Sequence, residues 1–176
     1  MRRNPKSYEE KIADLGKMRY WAPKEIRKKL YPITPFGNEA QVTKYSGEPP
    51  NYVIDVPSRH PKMWIESAAH ELGHMVTDPD LLEVPSNEAE SKAWKWALEE
   101  ARHRGVRLAK RDITHSMATH FGHGVPDIAY SSPGFRNRMR ELFKGHPHRN
   151  PILPKRDFTY HGFRFSPDRQ GGWDIM

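Results

Sequence analysis

The sequence predicts an α+β protein in which a small sheet lies between two sets of helices along the chain. Three observations carry this prediction. Helical capping and periodicity fill the first thirty residues, two β-branched and aromatic runs interrupt them between 39 and 58, and four amphipathic helical patterns follow.

The elements can be justified in order. Ser7 stands three residues before Glu10, a capping-box signature that opens a helix over "SYEEKIADLGKMRYWA". "PKEIRKKL" reads as a second, basic helical piece that follows Pro23 and ends before Pro32. "EAQVTKYS" and "NYVIDVPS", separated by the turn-forming "GEPP", read as two short strands. The second is either an edge to which an extended peptide could pair or an internal strand. Pro61 suits a first helical turn, "MWIESAAHELGHMV" the body, and "DPD" the end of a helix from Pro61 to Thr77. The loop "DPDLLEVPS" leads to "NEAESKAWKWALEEARHR", a strongly patterned helix closed by Gly105. "ITHSMATHF" behind Asp112 and "GFRNRMRELFK" behind Ser132 and Pro133 complete the helices. Residues 1–144 are expected to form a single domain. Residues 145–176, rich in Pro, Gly, Arg and aromatics without periodicity, are expected to form an extended tail, packed on that domain or partly disordered.

Composition removes several classes of function. The chain has no cysteine, which excludes disulfides, thiolate metal sites and cysteine nucleophiles, so any metal must be held by His, Asp or Glu. The same absence fits a reducing, cytoplasmic setting. The basic N-terminus leads into no apolar run, so no signal peptide is expected, and no segment reaches the length of a membrane span. The formal net charge is +7, but the basic residues are dispersed and interleaved with acidic ones. That pattern predicts solvated helix faces and, at most, weak and nonspecific nucleic-acid binding. A basic surface also suits an acidic or DNA-bound protein partner.

The chemistry concentrates in "AAHELGHMV". Positions i and i+4 share a helix face, so His70 and His74 can aim both imidazoles at one point. Neutral imidazole is a zinc ligand, and a catalytic zinc takes three protein ligands plus a water. Glu71 flanks the pair and could reach that water as general base, with zinc lowering the water's pKa toward about 7. This is the H-E-x-x-H arrangement of zinc metallopeptidases. Gly73 costs a helix about 1 kcal/mol relative to alanine, which predicts a close approach by backbone or ligand at that position.

A third ligand is expected from the next helix, where Glu90 and Glu88 both qualify. Glu90 lies on the stripe formed by Ala93, Trp94, Ala97, Leu98 and Ala101, whereas Glu88 aligns with Ser91, Lys92, Lys95 and Glu99 on the polar face. A carboxylate on an apolar stripe needs a partner, and zinc is a good one. The competing structural roles are a capping box between Asn87 and Glu90, and a helix-dipole interaction for Glu88.

With these residues in view, "AAHELGHMV" followed by "EAESKAWKWALEEA" resembles the gluzincin group of zincin metallopeptidases. The ImmA/IrrE-type family is the closest in element order, with strands, an H-E-L-G-H helix, and a helix reading roughly E-x-x-A-x-x-aromatic-A. Glu90, Ala93, Trp96 and Ala97 match that pattern. "NEAES", from Asn87 to Ser91, also resembles the N-E-x-x-S pattern of thermolysin-like enzymes, which would make Glu88 the ligand. The resemblance spans roughly Gln41 to Ala101. It implies a small zincin-like domain, zinc as cofactor, and cleavage of a protein substrate. It also implies a phage or mobile-element setting, in which some relatives act on DNA-bound repressors.

Further candidates lie outside this stretch. His115, His120 and His123 could form a second metal site, and one of them, Tyr130 or His161 could stabilise an oxyanion; the structural alternative is partly buried or surface histidine. Trp64, Trp94 and Trp96 are expected in the core. The sequence therefore predicts a zinc-dependent endopeptidase with His70, His74 and Glu90 or Glu88 as ligands and Glu71 as base. Its alternative is a non-enzymatic basic module, binding nucleic acid or protein, with a structural or vestigial metal site. Iron or manganese in place of zinc stays open.

Overall fold

The computed structural model describes residues 4–81, 86–122, 126–130 and 132–144, together with short strands at 148–149, 158–160, 163–167 and 173–175. The fold is α+β, and it divides into two compact units, Met1–Glu100 and Ala101–Met176.

The first unit begins with helix α1, Tyr8–Lys17, whose expected capping box is present in both directions. The Ser7 hydroxyl accepts from the Glu10 amide at 3.2 Å, and the Glu10 carboxylate accepts from the Ser7 amide at 2.7 Å. A 3₁₀ turn, Met18–Trp21, leads to the short helix α2, Lys24–Arg27. The predicted helix through Leu30 stops early because Leu30 bridges to Tyr52 and the Tyr31 amide donates to the Tyr52 carbonyl at 3.0 Å. Pairing with the sheet outcompetes one more helical turn.

The sheet has one strand more than the sequence suggested. Strands β1 (Thr34–Pro35), β2 (Gln41–Lys44) and β3 (Tyr52–Val56) are arranged in the order β1-β3-β2. β3 runs parallel to β1, with Thr34 opposite Asp55, and antiparallel to β2, with Gln41 opposite Asp55 and Lys44 opposite Tyr52. "NYVIDV" is thus the central strand and not an edge. Tyr52, Ile54 and Val56 are buried along one face, as a period of two requires.

Against this sheet packs α3, Trp64–Thr77, entered through a 3₁₀ turn at Pro61–Met63. Its Trp64, Ala68, Ala69, Leu72 and Met75 are buried, and the Trp64 indole donates to the Pro57 carbonyl at 2.7 Å. The end of α3 is tied back to β3 by the Tyr52 hydroxyl, which donates to the Pro79 carbonyl at 3.0 Å. Helix α4, Asn87–His103, buries the predicted stripe of Ala93, Trp94, Ala97, Leu98 and Ala101. Ser86 caps it: its hydroxyl accepts from the Ala89 amide at 3.1 Å. Ser86 thus holds the N-cap position that the competing capping-box reading had given to Asn87. Gly105, at φ 66°, takes the left-handed conformation that closes α4.

The second unit contains β4 (Leu108–Ala109), α5 (Lys110–Phe121), α6 (Pro126–Tyr130) and α7 (Pro133–Phe143). α5 starts two residues before the predicted Asp112, which sits buried in its first turn. α6 carried no sequence signal. Its short span offers too little periodicity to stand out. Ser132 caps α7 as expected. Within the segment 145–176, the described parts are strands: β5 (His148–Arg149) pairs with β4, while β6 (Phe158–Tyr160), β7 (Phe163–Pro167) and β8 (Trp173–Ile175) form an antiparallel sheet. The remainder of the expected tail lies outside the described residues. Among the described residues no helix is long and apolar enough to cross a membrane.

Candidate metal centre

The i, i+4 spacing on α3 places the His70 and His74 Nε2 atoms 3.1 Å apart, with the rings edge to face at a centroid distance of 4.5 Å. Glu90, one turn into α4, reaches across to both. Its Oε2 lies 2.8 Å from His70 Nε2 and its Oε1 lies 3.1 Å from His74 Nε2. His70 is buried and the other two are half-buried. The structure brings Glu90 to the imidazoles, and leaves Glu88 exposed on the other side of the helix phase.

The approach of the two helices depends on Gly73. A Cβ at that position would meet the Ala93 carbonyl oxygen at 2.3 Å. The close contact anticipated from sequence is with backbone, and it lies three residues beyond Glu90 on α4. The Thr77 hydroxyl donates to the Gly73 carbonyl at 2.8 Å, a side-chain bond back along the last turn of α3.

The donor set suits a cation. Two imidazole nitrogens and a carboxylate converging within 3.1 Å are mutually repulsive unless protons or a cation lie between them. Zinc bonds of about 2.0–2.1 Å in tetrahedral array put ligand atoms about 3.3 Å apart, so an opening of a few tenths of an ångström would seat the ion. Among the described residues, His70, His74 and Glu90 form the group that could hold a metal ion.

The site's electrostatics follow from burial and from these contacts. Burial disfavours ionisation of Glu90, but hydrogen bonds from His70 and His74, reinforced by their charge, hold its carboxyl well below the usual carboxylate range. Burial opposes the charge on His74 too. The hydrogen bond and charge of Glu90, helped by Glu71 and Asp78, outweigh it and raise the His74 pKa. Glu71 is buried and stands outside the converging group. Burial raises its pKa; the two imidazoles pull it down, and Glu90 pushes it further up.

One participant was not evident from sequence. Trp94, expected only in the core, is buried and also stacks on His70, with centroids 4.2 Å apart and planes 23° from parallel. Its position one turn after Glu90 was the available signal. Trp64 is buried, and Trp96 is half-buried. Of the outlying candidates, His115 and His120 lie half-buried on α5 in the second unit. His123, His161 and the Tyr130 side chain lie outside the described residues.

Fold and site together define an α+β protein with a His-His-Glu group that could hold a metal ion. Compared with protein-family models, curated proteins and solved structures, the chain matches none.

Proposed function

We propose that this chain is a zinc-dependent metallopeptidase that hydrolyses peptide bonds of a protein substrate. The observation that carries this reading is that three of four neighbouring side chains converge and the fourth stands apart. His70, His74 and Glu90 converge, whereas Glu71, adjacent in sequence and buried beside them, stays out of the donor group. A purely structural site has no use for a fourth side chain, a second carboxylate held apart from the three.

His70, His74 and Glu90 would hold the ion, and α3 and α4 fix their directions. Bound zinc would supply Lewis acidity, polarising the scissile carbonyl and lowering the pKa of water toward about 7. Glu71 would take a proton from the attacking water onto its carboxylate and return it to the leaving amide nitrogen as the C–N bond breaks. Its burial beside the two imidazoles keeps it close to where that water would stand. The likeness to ImmA/IrrE-type enzymes supports a protein substrate, a DNA-bound regulator among the kinds that would suit a basic chain. The cysteine-free sequence accords with a cytoplasmic setting.

The test is a cleavage screen on proteome-derived peptides with zinc-loaded protein, alongside Glu71→Gln. The variant should keep its zinc and lose about a hundredfold to ten-thousandfold in rate. Equal cleavage by both proteins would rule out Glu71 as base. Zinc bound by a wild type that cleaves nothing in the screen would favour the non-enzymatic reading.

A further inference from the structure

We propose that Trp94 is a positioning residue of this metal centre: its indole face, stacked on His70, sets the orientation of that imidazole. The inference rests on the reading of His70, His74 and Glu90 as ligands.

A histidine that binds metal through one ring nitrogen ordinarily donates the other N–H to a carboxylate, carbonyl or water, which fixes the ring. Among the described residues, no carboxylate or carbonyl plays that part for His70. Its Nδ1 is buried and has no hydrogen-bond partner among the described residues. The torsion that turns an imidazole about its Cβ–Cγ bond is broad and roughly two-fold; the contact with Glu90 distinguishes the two flips, but something must also hold the plane of the ring. The indole does this. It lies 4.2 Å from the His70 ring and 23° from parallel, and rotation of the imidazole about that torsion would drive its edge into the indole face. Trp94 is itself immobilised, 2% exposed within the buried stripe of α4.

Two consequences follow. α4 supplies one ligand, Glu90, and one turn later the plate that orients another, so a shift of this helix disturbs both together. Coordination also draws electron density from the imidazole, and the electron-rich face of indole favours a ring that has become more cationic. The stack thus strengthens as the ion binds.

The experiment measures zinc affinity by competition with a chromophoric chelator for wild type, Trp94→Phe, Trp94→Leu and Leu98→Ala. Cobalt-substituted absorption spectra report ligand geometry. Trp94→Leu should weaken zinc binding about tenfold to a hundredfold and alter the cobalt spectrum, the scale seen when a ligand's supporting group is removed. Trp94→Phe, which keeps a flat face, should restore most of the affinity. Leu98→Ala, at a fully buried position on the same helix, should lower stability and leave affinity unchanged. Unchanged affinity in Trp94→Leu, or an equal loss in Leu98→Ala, would overturn the proposal. If Trp94→Leu does not fold, tryptophan emission decides: zinc should change it in wild type and not in Trp94→Phe. A retained change would count against Trp94. A wild type that binds no zinc would fail at the earlier step, overturning the metal centre itself.

Discussion

Gly73 and Ala93 mark the place where α3 meets α4, and a methyl group added at Gly73 would stand 2.3 Å from the Ala93 carbonyl oxygen and 2.9 Å from its Cα. Backbone atoms cannot swing aside as a flexible side chain can. The separation of the two helices, and so the reach of Glu90 to the imidazoles, is set by a residue that binds nothing.

Gly73→Ala therefore opposes two effects. Alanine stabilises a helix interior by about 1 kcal/mol relative to glycine. Overpacking against fixed neighbours costs about 1–3 kcal/mol, and here the obstacle is main chain. Net destabilisation is expected, with weaker zinc binding because α4 must move outward. Urea denaturation and metal titration of the variant check this. A Gly73→Ala protein more stable than wild type, with unchanged zinc affinity, would show that the helices can separate freely.

A second prediction concerns the two glutamates of α4. Glu90→Gln removes a charged donor that touches both imidazoles, at 2.8 and 3.1 Å, and should release most of the zinc at micromolar metal. Glu88→Gln alters an exposed side chain and should leave binding within about twofold. Elemental analysis after gel filtration distinguishes them. Loss of zinc in Glu88→Gln alone would reinstate the thermolysin-like alignment.

What could be read from the sequence was local or periodic. The Ser7–Glu10 box and the His70–His74 spacing are complete within one turn of chain, so their geometry follows from helix dimensions. Helical phase on α4 separated Glu90 from Glu88 because the stripe of Ala93, Trp94 and Ala97 defined a face. Features set by distant segments stayed hidden. β1 is two residues long, one of them proline, and exists only because β3 pairs with it. The placement of β3 at the centre of the sheet follows from that same unseen strand. Trp94 was assignable to a buried face, but a hydrophobic stripe does not say which ring it will meet.

The capping box gives a prediction about stability alone. Ser7→Ala removes the acceptor of the Glu10 amide, at a terminus remote in sequence from His70, His74 and Glu90. It should cost about 1 kcal/mol and leave zinc affinity unchanged. Thermal unfolding with and without metal measures both. A change in zinc affinity would mean that the first helix constrains α3 more tightly than its packing implies.

The last prediction is a pH dependence. In metal-free protein the Glu90 pKa is depressed, so its contribution to stability is present above its ordinary value of 4.5 and is lost as pH falls through the folded pKa. The His74 pKa is raised, so its contribution is present below its ordinary value of 6.5 and is lost as pH rises through the folded pKa. The imidazole–carboxylate cluster thus supports the metal-free fold best between those two values and progressively less above them. Zinc held there as proposed would act in the opposite sense, since it would require both imidazoles neutral and would displace the proton on His74. The rise in melting temperature on adding zinc should therefore be larger near about pH 8 than near about pH 6, by several degrees for a domain of this size. Scanning calorimetry at the two pH values, with zinc and with chelator, measures the difference. An equal rise at both would mean that the His74 proton does not compete with the ion, and that zinc binds somewhere other than at Glu90 and the two histidines.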